Sequence, residues 1–201
     1  MTKGRFVVES GFEHDDVFSP SMLNLSKIQA ITLDLDDTLW PVWPTIARAE
    51  LVLQKWLAVH APQTAQFCSD VEVKKRIRAE VNQRHADKAH DLSFLRRESI
   101  RESLIRAGDA AHLADEAFEV FFAERQNVTL YEGVQQALDR LSARYPLVGL
   151  SNGNADVFRT AAGPYFKASV SARLFGVAKP DPRIFHAAAA QLNLKVDAVL
   201  H

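Results

Sequence analysis

The sequence predicts an α/β fold, a doubly wound parallel sheet whose first strand is separated from the rest by a long helical insertion. Three observations carry this. Residues 28–35 form a short apolar run rich in branched side chains, and it ends in the polar stretch Asp34-Leu35-Asp36-Asp37-Thr38. From Thr45 to Gln126 apolar residues recur at helical spacing, with no strand signal among them. Beyond Leu130, apolar runs of strand length alternate with helix-periodic ones, the layout of a sheet built from crossovers.

Taken in order, residues 1–26 mix charges, Ser, Gly and Pro without a sustained period and read as a leader of weak structure. Residues 28–35 give the first strand. Trp40-Pro41-Val42-Trp43-Pro44 holds two prolines, which are poorly tolerated in a helix interior, so it reads as a connector. Ile46, Ala49, Leu53, Trp56 and Leu57 then share one helical face, and further helices are expected over 71–85, 94–107 and 112–126. Gly108 stands where a C-terminal glycine cap would. Val134, Ala137, Leu138 and Leu141 predict a short amphipathic helix, and residues 146–150 a buried strand running into Ser151-Asn152-Gly153-Asn154. Residues 155–162 predict a helix stopped by Gly163-Pro164, and 168–172 a strand. Asp181-Pro182 suits the cap and first position of a helix bearing Ile184, Phe185, Ala188 and Leu192, and 197–201 opens another strand. The domain reading is a sheet core over 27–40 and 128–201, with a helical unit over 41–127.

Charge and composition narrow the partners. With 24 Lys and Arg against 25 Asp and Glu, the net charge is −1, which offers no electrostatic case for nucleic acid or an anionic membrane. No apolar stretch approaches spanning length, and the N-terminus lacks a secretory pattern. Cys68 is the only cysteine, so no internal disulfide forms, and a cytoplasmic location is expected. Nothing beside Cys68 would activate it, so it reads as an idle buried thiol. His85, Asp87, His90 and Asp91 are spaced for solvent or capping roles better than for a metal, because His85 and His90 fall on different helix faces.

The polar signatures fall at or near the carboxyl ends of sheet elements, where open parallel sheets bind ligands. Asp34 can attack a phosphoryl group, and Asp36, two residues on, faces the same site to protonate the leaving oxygen and later activate water. The hydroxyls of Thr38 and Ser151, with Asn152 beside them, can hold phosphoryl oxygens, and the Lys179 ammonium balances their charge. Mg2+ would be needed to bring a dianionic phosphate next to a carboxylate, and carboxylates plus substrate oxygens are its usual ligands.

Asp34/Asp36/Thr38, Ser151 and Lys179, in this order and spacing, resemble the haloacid dehalogenase superfamily, specifically its phosphatases with a helical cap inserted after the first motif. The resemblance covers residues 28–201. It implies a Rossmann-like core, an inserted α-helical cap, Asp34 as nucleophile and metal ligand, and Asp36 as acid/base lending its main-chain carbonyl to Mg2+. Thr38 is expected to orient the loop, Ser151 and Asn152 to contact phosphate or cap, and Lys179 to supply the third motif. The family's fourth motif, one or two further acids past a strand like 198–201, has no counterpart here. The expectation is therefore a core without its C-terminal part, belonging either to a fragment of a longer phosphatase or to a phosphate-binding or interaction protein with impaired catalysis. His90-Asp91-Leu92-Ser93 followed by Arg96-Arg97, together with Leu150-Ser151-Asn152-Gly153-Asn154, looks most like the branch acting on flavin mononucleotide or a related ribitylamino-pyrimidine phosphate. Trp40 and Trp43 could stack a planar ring, with hinge packing as the competing reading, and Arg96 or Arg97 could pair an anion.

Overall fold

The computed structural model describes residues 25–201, so the expected leader lies almost wholly outside the described residues. Strands β1 (Ala30–Leu33), β2 (Leu147–Ser151), β3 (Phe166–Ser171) and β4 (Val199–Leu200) form one parallel sheet in the order β3-β2-β1-β4. Pairing of Leu33 with Gly149 and of Ser151 with Ser171 brings the carboxyl ends of β1, β2 and β3 to one edge. The acidic loop of Asp34 and Asp36 and the Ser151-Asn152 stretch leave the sheet there.

The alternation of side chains along a strand gives the sheet two buried faces. On one, Ile31 and Leu147 pack with Leu138 of α6 (Val134–Ser142); on the other, Val148, Leu150 and Val170 pack with Ile184 and Ala188 of α8 (Pro182–Ala190). The core is thus Rossmann-like, as the alternation of elements predicts. Asp181 caps α8 by accepting from the Arg183 N–H at 2.9 Å, with Pro182 in the first turn. The Arg183 guanidinium and this N–H hold the Asp181 carboxyl down at about 2. The short α7 (Ala172–Phe175) links β3 to the loop before α8.

Between β1 and β2 lie α1 (Val42–His60), α2 (Pro62–Phe67), α3 (Val71–Arg84), α4 (Leu92–Ala107) and α5 (Ala114–Arg125). They own a separate apolar cluster of Ala49, Leu53, Leu57, Leu104, Phe118 and Phe121. Gly108 ends α4 at φ +87°, a conformation glycine adopts without Cβ strain. Asp91 caps the start of α4 by accepting from the Phe94 N–H at 2.9 Å, and His85 meets the edge of the Phe94 ring. No helix among the described residues is long and apolar enough to cross a membrane.

Two elements differ from expectation. α1 begins at Val42, so Pro44 sits inside its first turn instead of in a connector. The first four N–H groups of a helix have no internal partner, and the missing donor of Pro44 therefore costs nothing there. Residues 155–162 form only a 3₁₀ turn, Val157–Arg159, in place of the predicted helix. Asp156 accepts from the Phe158 N–H, Thr160 donates to the Val157 carbonyl at 2.7 Å, and these local bonds outcompete the helical ones.

Cys68 is buried at the end of α2, and burial pushes its thiol above the ordinary range. Labelling of the native protein by a disulfide reagent at pH 8 should run on the order of a hundredfold slower than in denaturant. A native rate equal to the denatured one would contradict this packing.

Candidate active site

The acidic loop follows directly from β1. Asp34 accepts from the Leu35 N–H at 2.9 Å and forms a salt bridge with Lys179 Nζ at 2.9 Å, both through Oδ1. Its Oδ2 accepts no hydrogen bond among the described residues, so lone pairs remain for an electrophile or a cation. Leu35 and Leu39, both buried, turn the chain back, and Asp37 takes the turn at φ +56°. Asp37 also accepts from the Val42 N–H at 2.9 Å, which ties the loop to the start of α1. Thr38 is exposed, and its hydroxyl makes no hydrogen bond among the described residues. Its main-chain N–H donates to the Leu35 carbonyl at 3.2 Å within the loop, while the side-chain tie to α1 is made by Asp37.

Ser151 closes β2 almost wholly buried, and its Oγ accepts from the Gly153 N–H at 2.9 Å. That leaves its own O–H free to donate outward. Asn152 Oδ1 accepts from the Lys179 N–H at 2.7 Å, and its Nδ2 donates to the Lys179 carbonyl at 3.0 Å. The Asn152 side chain is therefore committed to the main chain of Lys179, which it fixes opposite Asp34. One N–H of Nδ2 remains available for a further contact. Lys179 thus meets both Asp34 and Asn152, and Ser151 precedes Asn152 at the end of β2.

The surroundings of Asp36 were not predicted. Its Oδ1 accepts from Trp40 Nε1 at 2.8 Å, and Arg125 Nη2 reaches Oδ1 at 2.6 Å and Oδ2 at 2.7 Å. Arg125 is the last residue of α5 and is 1% exposed. Trp40, at 0% exposure, offers no face for stacking and packs beside the acid instead, the second of the two readings that the sequence leaves open for it. His201, after β4, sits with Nδ1 2.9 Å from Thr32 Oγ1, and burial together with the Lys179 charge lowers its pKa.

A carboxylate with one oxygen left unpaired, a second acid two residues on and a lysine at the edge of a parallel sheet now stand together, and a family model for haloacid dehalogenase-like hydrolases matches residues 28–201. The chain belongs to that family. Among curated proteins, this haloacid dehalogenase-like hydrolase is similar to 5-amino-6-(5-phospho-D-ribitylamino)uracil phosphatase YigB of Escherichia coli. The identity is 30% over 181 residues, covering 88% of this chain and 75% of the relative. Among solved structures it is similar to 2-haloacid dehalogenase from Pseudomonas syringae, with a TM-score of 0.78 and 36% identity over 86% of this chain and 76% of that one. It also shares its fold with YfnB of Bacillus subtilis, solved bound to magnesium, at a TM-score of 0.55 and 17% identity over 81% and 73%.

The remaining predicted residues of this haloacid dehalogenase-like hydrolase lie in the helical insert. Trp43 is 75% exposed in the first turn of α1. Arg96 pairs with Glu50 at 2.6 Å and lies over the Phe121 ring, and burial lowers its pKa against the pull of Glu50. It lines a cavity of about 200 Å³ with Ile46, Leu92, Leu95 and, from the core, Asn154. Arg97 pairs with Asp115 at 3.1 Å and lies over the Phe118 ring, committed within the insert.

Among the described residues no three His, Cys, Asp or Glu side chains cluster as a metal cage. Mg2+ does not require one, since it commonly takes one or two carboxylates and fills its shell with water and phosphate oxygens. Asp34 and the main-chain carbonyl of Asp36 are oxygen donors of that kind and fit it.

Proposed function

We propose that this hydrolase is a Mg2+-dependent phosphomonoesterase working through an aspartyl-phosphate on Asp34. The observation that carries the reading is Asp36. A halide departs without a proton, whereas an alkoxide leaving from phosphorus needs one, and Asp36 is a second acid on the nucleophile's own loop. An Asp34 oxygen attacks phosphorus while the ester P–O bond breaks, and the leaving oxygen takes the Asp36 proton. Asp36 then accepts a proton from water, whose oxygen displaces Asp34 and releases phosphate. Lys179 and the Ser151 hydroxyl face the phosphoryl oxygens, with Asn152 setting the lysine. Asp34 and the Asp36 carbonyl would hold Mg2+, which when bound offsets the phosphate charge beside the carboxylates.

For the substrate we propose a planar heterocycle carrying a ribityl phosphate, such as flavin mononucleotide or a ribitylamino-pyrimidine phosphate. The similarity to YigB supports this, and the helical insert acts as a cap whose cavity beside Asn154 and Arg96 receives the ring. The lone cysteine favours work in a reducing cytoplasm. The second reading, a 2-haloacid dehalogenase, draws on the Pseudomonas syringae structure.

One assay separates them. Phosphate release from flavin mononucleotide and chloride release from 2-chloropropionate are measured with Mg2+ and with excess EDTA. Phosphate release that falls at least roughly tenfold with EDTA is expected. Metal-independent chloride release without phosphatase activity would overturn the proposal in favour of the dehalogenase. Binding of phosphate esters without turnover would favour a binding or interaction role.

A further inference from the structure

We infer that Arg125 is a positioning residue for the general acid/base, holding the Asp36 carboxylate against the phosphate loop from the last turn of the inserted helices. The inference rests on the phosphatase reading above.

Asp36 is confined on three sides. Arg125 Nη2 touches both of its oxygens, at 2.6 and 2.7 Å, and the Trp40 indole N–H meets Oδ1 at 2.8 Å. On the third side the carboxylate abuts the loop after β2, so closely that a Cβ placed on Gly153 would lie 2.2 Å from Asp36 Oδ2. The contact also crosses between parts of the chain, because Arg125 is 89 residues away and ends α5. Its neighbour Gln126, 4% exposed, accepts from the Asp156 N–H at 2.7 Å. Two consecutive buried polar residues thus tie the end of the insert to both loops of the site.

Stability is a poor explanation for Arg125. The guanidinium is buried, yet only Nη2 is used, and Nε and Nη1 have no partner among the described residues. A buried ion pair with donors left unpaired recovers little of its desolvation cost, and an apolar residue of similar volume would serve packing as well. What the arginine does provide is orientation, together with a positive charge facing the carboxylate that Asp36 becomes once its proton has gone to the leaving oxygen. A misplaced acid loses rate mainly where the leaving group needs its proton.

The test uses the full chain with Arg125→Met, Arg125→Lys and Trp40→Phe, the last removing the other donor to Asp36. Each is assayed with Mg2+ on p-nitrophenyl phosphate, whose phenolate departs without protonation, and on β-glycerophosphate, whose alkoxide does not. Arg125→Met should lower kcat on β-glycerophosphate about tenfold to a hundredfold more than on p-nitrophenyl phosphate, with KM little changed. Arg125→Lys should recover part of the difference, and Trp40→Phe should show the same selectivity on a smaller scale. If Arg125→Met does not fold, Trp40→Phe and Arg125→Lys carry the comparison. Equal losses on both esters, or none, would make Arg125 structural and overturn the inference while leaving the phosphatase reading in place. No turnover of either ester by the unsubstituted chain would remove both.

Discussion

Replacing Asp34 with Asn should reduce phosphate ester turnover by roughly ten-thousandfold or more, the scale seen when a covalent nucleophile is lost. The fold has no reason to suffer. Asn is nearly isosteric, and its oxygen can still accept from the Leu35 N–H, the hydrogen bond that orients Asp34. Lys179 would lose its counter-charge beside the phosphate site, so inorganic phosphate should bind the variant at least as tightly as the parent chain. Phosphate release, equilibrium phosphate binding and the thermal unfolding midpoint together separate a dead nucleophile from a damaged protein. Turnover at the parent rate would rule out Asp34 as the attacking group. Loss of both activity and phosphate binding would show instead that its role is to hold the loop.

The sheet and the first half of the site were legible because each has a local signature. Branched apolar residues running into Asp34 mark β1, and Asp181-Pro182 marks the start of α8, where the structure has the cap and the first-turn proline. Lys179 lies just before that cap, so its nearness to the sheet edge followed from order alone. Local signals misled where two of them competed. Pro41 and Pro44 read as connectors until the unpaired first turn of α1 accommodates Pro44, and the apolar spacing of 155–162 is overridden by Asp156 and Thr160 bonding to nearby backbone. Arg125 and Gln126 carried no signal at all. They close a helix whose periodicity accounts for its other residues, and a buried arginine looks in sequence like one on a solvated face. Their meaning arises from contacts with Asp36 and Asp156, far away along the chain, which no spacing rule encodes.

Gly153 in the loop after β2 tests the same geometry from the opposite side. Gly153→Ala would set a methyl group 2.2 Å from Asp36 Oδ2 and 3.2 Å from Ser151 Oγ. The first distance is far inside van der Waals contact, so one partner must move. Asp36 is the end of a side chain and not part of the backbone, so the fold can accept the alanine by displacing the carboxylate. That displacement breaks the alignment with Arg125 Nη2 and Trp40 Nε1, the contacts that hold the acid. The expected result is therefore an uncoupling of stability from activity. The unfolding midpoint should shift by only a few degrees, as for about 1 kcal/mol, while kcat on an alkyl phosphate should fall by about a hundredfold to ten-thousandfold, the contribution of a general acid/base. Activity on p-nitrophenyl phosphate should fall less, because its leaving group needs no proton. A variant that loses stability in step with activity would show that the loop had yielded and not the acid. One that keeps full activity on alkyl esters would place the working acid elsewhere than Asp36.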